Sequence, residues 1–125
     1  MIALDASALL AFLFREPGEE LVADAVNHSC LSAVNLCEVL DLFARDGHDP
    51  FELLKRIREV SIEIVPFDSD QAALAAALAP VVRPKGLSLA DRACLALAAS
   101  RGIPALTADR AWADLDIEVE VQVIR

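Results

Sequence analysis

Met1-Ile-Ala-Leu-Asp5-Ala-Ser7-Ala-Leu-Leu-Ala11 decides the fold class. Ile2–Leu4 reads as a short buried strand, and Ala6–Phe14 as a helix that follows it at once, with Asp5 at the junction. A strand that passes straight into a helix is the opening of an α/β unit, and the rest of the chain repeats the alternation. Gly18 to Asn27 reads as a second helix, with Glu19 and Glu20 in the favourable first turn. Cys30–Ser32 reads as a strand, followed by a helix to about Arg45 that Gly47 ends. Pro50 starts a helix to Glu59. Ser61–Val65 is a strand, and Asp68, with Gln71 in a capping-box pattern, begins an Ala-rich helix to Leu78. Val82–Leu87 is a loop, Leu89–Ser100 a helix ended by Gly102, and Pro104–Thr107 contains a buried strand. Arg110–Leu115 is a short helix. Ile117, Val119, Val121 and Val123 alternate with Glu118, Glu120 and Gln122, the pattern of a half-buried last strand. The expectation is one α/β domain over residues 1–125, with a largely parallel central sheet and no repeat or linker.

A chain of 125 residues buries a core without disulfides or a structural metal. Hydrophobic residues make up 56% of it and the mean hydropathy is +0.46, which excludes a disordered chain. Part of that apolar surplus is expected to cover a partner surface, and the Ala-rich Ala72–Ala79 stretch suits close helix packing in a two-fold homodimer. No apolar run reaches the ~20 residues of a membrane span, and Asp5 interrupts any signal-like start, so the expected location is the cytoplasm. Cys30, Cys37 and Cys94 form no CxxC pair; Cys37 and Cys94 read as reduced core packing. His28 and His48 sit at turn-like positions, and Trp112 reads as core. The net charge of −9 opposes nucleic-acid binding by bulk electrostatics, so any bound phosphate backbone needs a local basic patch or metal ions.

In parallel α/β sheets, chemistry collects at the carboxyl ends of strands. Asp5 follows the first strand, Asp109 closely follows a later one, and Glu38 and Asp91 each fall about one turn into a helix. Helix starts and strand ends share one rim, so these carboxylates can converge. Each also has a purely structural reading. Asp5 and Asp109 suit N-caps, and Asn35-x-x-Glu38 and Ser88-x-x-Asp91 fit capping boxes. Asp91 is set apart by Leu95 and Ala98 on its own helix face, where a carboxylate is costly without a cation or donor.

Four blocks carry a resemblance: Met1 to Ala11; Asn35-Leu-Cys-Glu38-Val; Leu87-Ser-Leu-Ala-Asp91-Arg-Ala; and Leu106-Thr107-Ala-Asp109-Arg-Ala-Trp112. In this order and spacing, over essentially the whole chain, they resemble PIN-domain ribonucleases, the VapC-type toxins of toxin–antitoxin pairs. The resemblance implies a three-layer α/β/α domain and an endoribonuclease with a Mg²⁺ or Mn²⁺ site built from Asp5, Glu38, Asp91 and Asp109. It also implies a cognate antitoxin and, commonly, a homodimer. Ser7 and Thr107 match the positions of hydroxyls near that metal, and Asp114 and Asp116 both stand as candidates for a further acid. Oxygen-only ligands select hard cations, and carboxylates ~4 Å apart repel by about 4 kcal/mol at an effective dielectric of 20. Arg83, Lys85, Arg92 and Arg110 lie beside these blocks as candidate phosphate contacts, and an acidic pocket suits an inhibiting Arg from a partner. Two other readings are a PIN-like interaction module whose carboxylates only cap helices, and a phosphotransferase with Asp5 as nucleophile. Haloacid-dehalogenase-like enzymes of the second kind carry another Asp two residues on, where this chain has Ser7.

Overall fold

The computed structural model describes all residues, Met1–Arg125. Five short strands, β1 (Ile2–Leu4), β2 (Ser29–Ser32), β3 (Ile62–Val65), β4 (Ala105–Thr107) and β5 (Val121–Val123), form one sheet in the order β3-β2-β1-β4-β5. Every neighbouring pair is parallel. Six α-helices connect them: α1 (Ala6–Phe14), α2 (Glu19–Ala25), α3 (Ala33–Arg45), α4 (Pro50–Glu59), α5 (Ser69–Val82) and α6 (Leu89–Arg101). None is long and apolar enough to cross a membrane.

The two-residue period of the strands divides the core. Ile2, Leu4, Leu31, Ile62 and Leu106 point to one face, where α1 to α4 bury Leu9, Val22, Val39 and Ile57. Ala3, Cys30 and Ala105 point to the other, against Cys94, Leu95, Leu97 and Ala98 of α6 and Trp112. That second face is lined by small residues, so α6 approaches the sheet closely and is buried continuously from Ala93 to Ala98. Parallel strands covered on both faces need such apolar runs.

Most boundaries follow the sequence pattern; two depart from it, and one residue expected in the core is not there. α5 continues past Pro80 to Val82. Proline removes the hydrogen bond to Ala76, but both residues lie on the exposed side, while Ala79 and Val82 hold the last turn in the core. The alternating Ile117–Val123 segment pairs only over Val121–Val123, because β4 offers three residues and no more. Ile117 and Val119 still pack half-buried against the second core. Cys37, expected in the core, is exposed on α3, whereas Cys30 and Cys94 are buried.

The chain end is fastened to the α1–α2 turn. Gly18 has φ +93, and a Cβ there would stand 2.5 Å from the Ile124 carbonyl oxygen, so both backbone and space require glycine. Arg125 Nη1 donates to the Pro17 carbonyl at 3.1 Å, and the Ile124 N–H donates to the Thr107 carbonyl at 2.9 Å. This closure places β5 beside β4 and so fixes the strand end that carries Thr107.

Candidate metal centre

The strand order reverses beside β1: β2 and β3 extend to one side, β4 and β5 to the other. A crevice opens outside the carboxyl ends of the strands at such a switch point. Asp5, just after β1, and Thr107, the last residue of β4, meet at this point, where Thr107 Oγ1 donates to Asp5 Oδ2 at 2.6 Å. Ser7 Oγ donates to the same carboxylate, 2.7 Å from Oδ1 and 2.9 Å from Oδ2. Both hydroxyls are held in turn, Ser7 Oγ by the Ala108 N–H at 2.9 Å and Thr107 Oγ1 by the Asp109 N–H at 3.0 Å. Asp5 also caps α1, accepting the Ala8 N–H at 2.8 Å. Although fully hydrogen-bonded, its carboxyl is pushed up to about 6: burial dominates, three donors oppose it, and the nearby Asp91 charge adds to the rise.

Glu38 is the carboxylate on α3. The expected Asn35–Glu38 capping box does not form, because Ser32 takes the cap by accepting the Val34 N–H at 3.2 Å. Instead Asn35 Nδ2 donates to Glu38 Oε1 at 2.9 Å and to the Ala90 carbonyl of α6 at 3.0 Å. Glu38 is exposed as a residue, yet burial around its carboxyl raises its pKa, with Asn35 opposing and Asp91 adding. Asp91 does form its capping box with Ser88, the Ser88 N–H donating to Asp91 Oδ2 at 2.8 Å. Asp109 is exposed and caps the 3-10 turn Arg110–Asp114 through the Ala111 N–H at 3.0 Å.

Asp91 acts on both Asp5 and Glu38, and the buried Cys94 thiol is pushed up chiefly by burial and then by Asp5, Cys30, Asp91 and Glu38. Asp109 is tied to this rim by its backbone, whose N–H donates to Thr107 Oγ1, while its carboxylate caps the following 3-10 turn. No three His, Cys, Asp or Glu side chains stand close enough to enclose a metal ion by themselves. Neither ion pair of the fold reaches this rim, since they join Arg101 to Glu63 and Arg125 to Glu16. Asp5 is buried, Asp91 half-buried and Glu38 exposed, and carboxylates with no cationic partner fit a hydrated divalent cation with few protein ligands. Asp114 ends the 3-10 turn and Asp116 lies just beyond it, both exposed.

The basic candidates divide. Arg83 and Lys85 are exposed on a 3-10 turn just before α6. Arg92 is half-buried, with Nη1 donating to the Ala75 carbonyl of α5 at 3.1 Å, and Arg110 Nε donates to the Arg125 carbonyl at 3.0 Å. Arg92 thus ties α6 to α5, while Arg110 is exposed and tied to the last residue. The role of Asn35 was the feature missed by reading the sequence. The signal was its spacing to Glu38, which suited a cap equally well.

The PIN-domain family model matches residues 2–118. The chain belongs to the PIN-domain family. No curated protein matches the sequence detectably. Among solved structures, this PIN domain resembles a toxin–antitoxin complex from Klebsiella pneumoniae, with TM-score 0.78, 17% identity, and 100% and 98% of the two chains covered. It resembles FitAcB from Neisseria gonorrhoeae at TM-score 0.72 and 25% identity, over 97% and 96% of the chains. The sarcin-ricin-loop-cleaving VapC toxin of Mycobacterium tuberculosis matches at TM-score 0.73 and 20% identity, over 96% and 99%. The PIN domain thus shares its fold with VapC-type toxins.

Proposed function

We propose that this PIN domain is a divalent-metal-dependent endoribonuclease, the toxin half of a toxin–antitoxin pair acting on RNA in the cytoplasm. The observation that carries the reading is the buried Asp5 at the sheet's switch point, its carboxyl pushed up to about 6 beside the charge of Asp91. A carboxylate so placed gains from a cation, which returns the charge balance that burial removes.

Asp5, Glu38, Asp91 and Asp109, with Asp114 or Asp116 as a further acid, would hold Mg²⁺ or Mn²⁺. The ion would supply a water of lowered pKa and a clamp on the scissile phosphate. Ser7 and Thr107 fix the Asp5 carboxylate through both oxygens, so its orientation is set before substrate arrives. An ionised carboxylate of this rim is the group placed to take the proton from attacking water. Arg83 and Lys85, free of backbone ties and next to the start of α6, suit the phosphate backbone better than Arg92 or Arg110. Replacing either by Ala should weaken RNA binding and flatten the salt dependence by about 0.7 in log–log slope. Arg92→Ala should instead lower stability; equal slopes for all four single variants would remove this patch.

The partner reading rests on the surface and on the neighbours, one of which is a toxin–antitoxin complex. Between α1, α3 and α4 runs a groove lined by Phe12, Leu13, Phe14, Phe43, Leu53 and Ile57. Phe14 and Phe43 stack at 5.2 Å, with Phe14 53% exposed. An amphipathic antitoxin helix would cover that apolar area, and an Arg from it would neutralise the acidic rim. On α5, exposed Leu74 and Val81 among alanines support a homodimer.

The test is incubation of the purified chain with RNA in Mg²⁺, in Mn²⁺ and in EDTA, with the cut ends mapped and single-stranded DNA as a parallel substrate. The reading requires cation-dependent internal cuts in RNA. Intact RNA under all conditions would favour a PIN-like interaction module, and DNA cut alone would reassign the substrate. A phosphotransferase is disfavoured because Ser7, where a second Asp would be needed, supports Asp5 through its hydroxyl.

A further inference from the structure

We propose that Asn35 is the positioning residue for Glu38: its amide, clamped between the Glu38 carboxylate and the Ala90 carbonyl, fixes Glu38 at the seam where α3 meets α6. The inference rests on the metal-site reading above and assigns a role to a residue outside the four carboxylates.

Asn35 is 1% exposed, a polar side chain in the first turn of α3. Both of its N–H groups are used, one on Glu38 Oε1 at 2.9 Å and one on the Ala90 carbonyl at 3.0 Å. Its amide orientation follows from chemistry: turned over, Oδ1 would face two acceptor oxygens. In the orientation adopted, Oδ1 is buried without a partner. Leaving a carbonyl oxygen unpaired is unfavourable, and an apolar residue of similar size would avoid it. The donor pair is what an apolar residue could not provide.

The other carboxylates show why Glu38 needs it. Asp5 accepts the Ala8 N–H, Asp91 the Ser88 N–H and Asp109 the Ala111 N–H, so backbone holds each of them. Glu38 accepts no backbone N–H; its one hydrogen-bonding partner is Asn35. Glutamate has a long side chain with much rotamer freedom, and Glu38 sits on a partly exposed helix face. A charge-assisted bond from a buried amide restricts it. Because the same amide grips Ala90, immediately before Asp91, it couples the spacing of α3 and α6 to the spacing of Glu38 and Asp91.

The experiment compares Asn35→Ala, Asn35→Ser and Glu38→Gln with the Asn35→Ala/Glu38→Gln double variant. Mn²⁺ affinity is read by calorimetry, thermal unfolding in EDTA, and kcat and KM on RNA. Asn35→Ala should weaken Mn²⁺ binding about 10–100-fold and lower kcat with KM nearly unchanged. Asn35→Ser, which keeps one short donor, should recover part of the loss. In the Glu38→Gln background Asn35→Ala should add little, because both act through one carboxylate. Wild-type Mn²⁺ affinity in folded Asn35→Ala and Asn35→Ser, with only the EDTA unfolding temperature lowered, overturns the positioning role and leaves the metal reading standing. Effects that add fully to Glu38→Gln also overturn it. Unchanged Mn²⁺ binding in Glu38→Gln itself removes the metal role of Glu38, and the proposal with it.

Discussion

Asp5→Asn is expected to reduce divalent-dependent RNA cleavage at least about a hundredfold while leaving the metal-free fold as stable as before, or more so. Asparagine keeps the size of the side chain and serves as an N-cap as well as aspartate does, so the Ala8 N–H retains its acceptor. The Ser7 and Thr107 hydroxyls can rotate to accept from the new amide. What disappears is a buried charge. With its carboxyl at about 6 in the fold against an ordinary 3.8, the folded chain holds a proton that the unfolded chain has released between those values. This contribution to stability is therefore complete below about pH 4 and lost as pH rises through about 6, a difference on the order of 3 kcal/mol. In EDTA, wild type should lose stability relative to Asp5→Asn across that window. Denaturant midpoints at pH 4, 5, 6 and 7 check it. A gap between the two proteins that shrinks as pH rises contradicts the buried-carboxylate account.

Trp112→Ala should be the most destabilising single change, at about 3–5 kcal/mol. The indole is fully buried against the small-residue face of the sheet, in the same core as Val82, Leu95 and Leu97. No neighbouring side chain is large enough to refill the space. Its Nε1 is buried without a hydrogen-bond partner, so Trp112→Phe sheds an unpaired donor along with some volume and should cost far less. The consequence reaches the rim: the Trp112 N–H donates to the Asp109 carbonyl at 3.2 Å, and the indole anchors the 3-10 turn that begins at Asp109. Urea unfolding of both variants, with cleavage measured well below their transitions, separates the two effects. Equal losses for Phe and Ala would contradict the cavity argument.

Local patterns in the chain carried much of this architecture. Ile2–Leu4, Asp5 and the helix Ala6–Phe14 are legible because a short apolar run, a capping acid and an Ala/Leu-rich segment succeed each other without ambiguity. Pro50–Glu59 is legible from Pro50, and the structure adds Asp49 as its cap. Where tertiary packing decides, the pattern misleads. Burial of Ala79 and Val82 carries α5 past Pro80, and the length of β4 limits β5 to three residues whatever the alternation before it. The same division holds at the rim. Asp5 and Asp109 are caps and Asp91 is the reciprocal member of the Ser88 capping box, and for Asp5 and Asp91 that local role coexists with a shared electrostatic neighbourhood. The bond from Asn35 to Ala90 spans 55 residues of chain, and Arg92 and Arg110 reach carbonyls 17 and 15 residues away. No local pattern announces such partners.

The central claim is that carboxylates on this rim form one divalent-cation site, and a Mn²⁺ titration of purified wild type and Asp5→Asn, followed by calorimetry and by unfolding temperature, tests it most directly. The account predicts saturable binding to wild type that raises its unfolding temperature, and loss of both signals in the folded variant. Identical titrations of the two proteins, or no stabilisation of wild type at millimolar Mn²⁺, would contradict it.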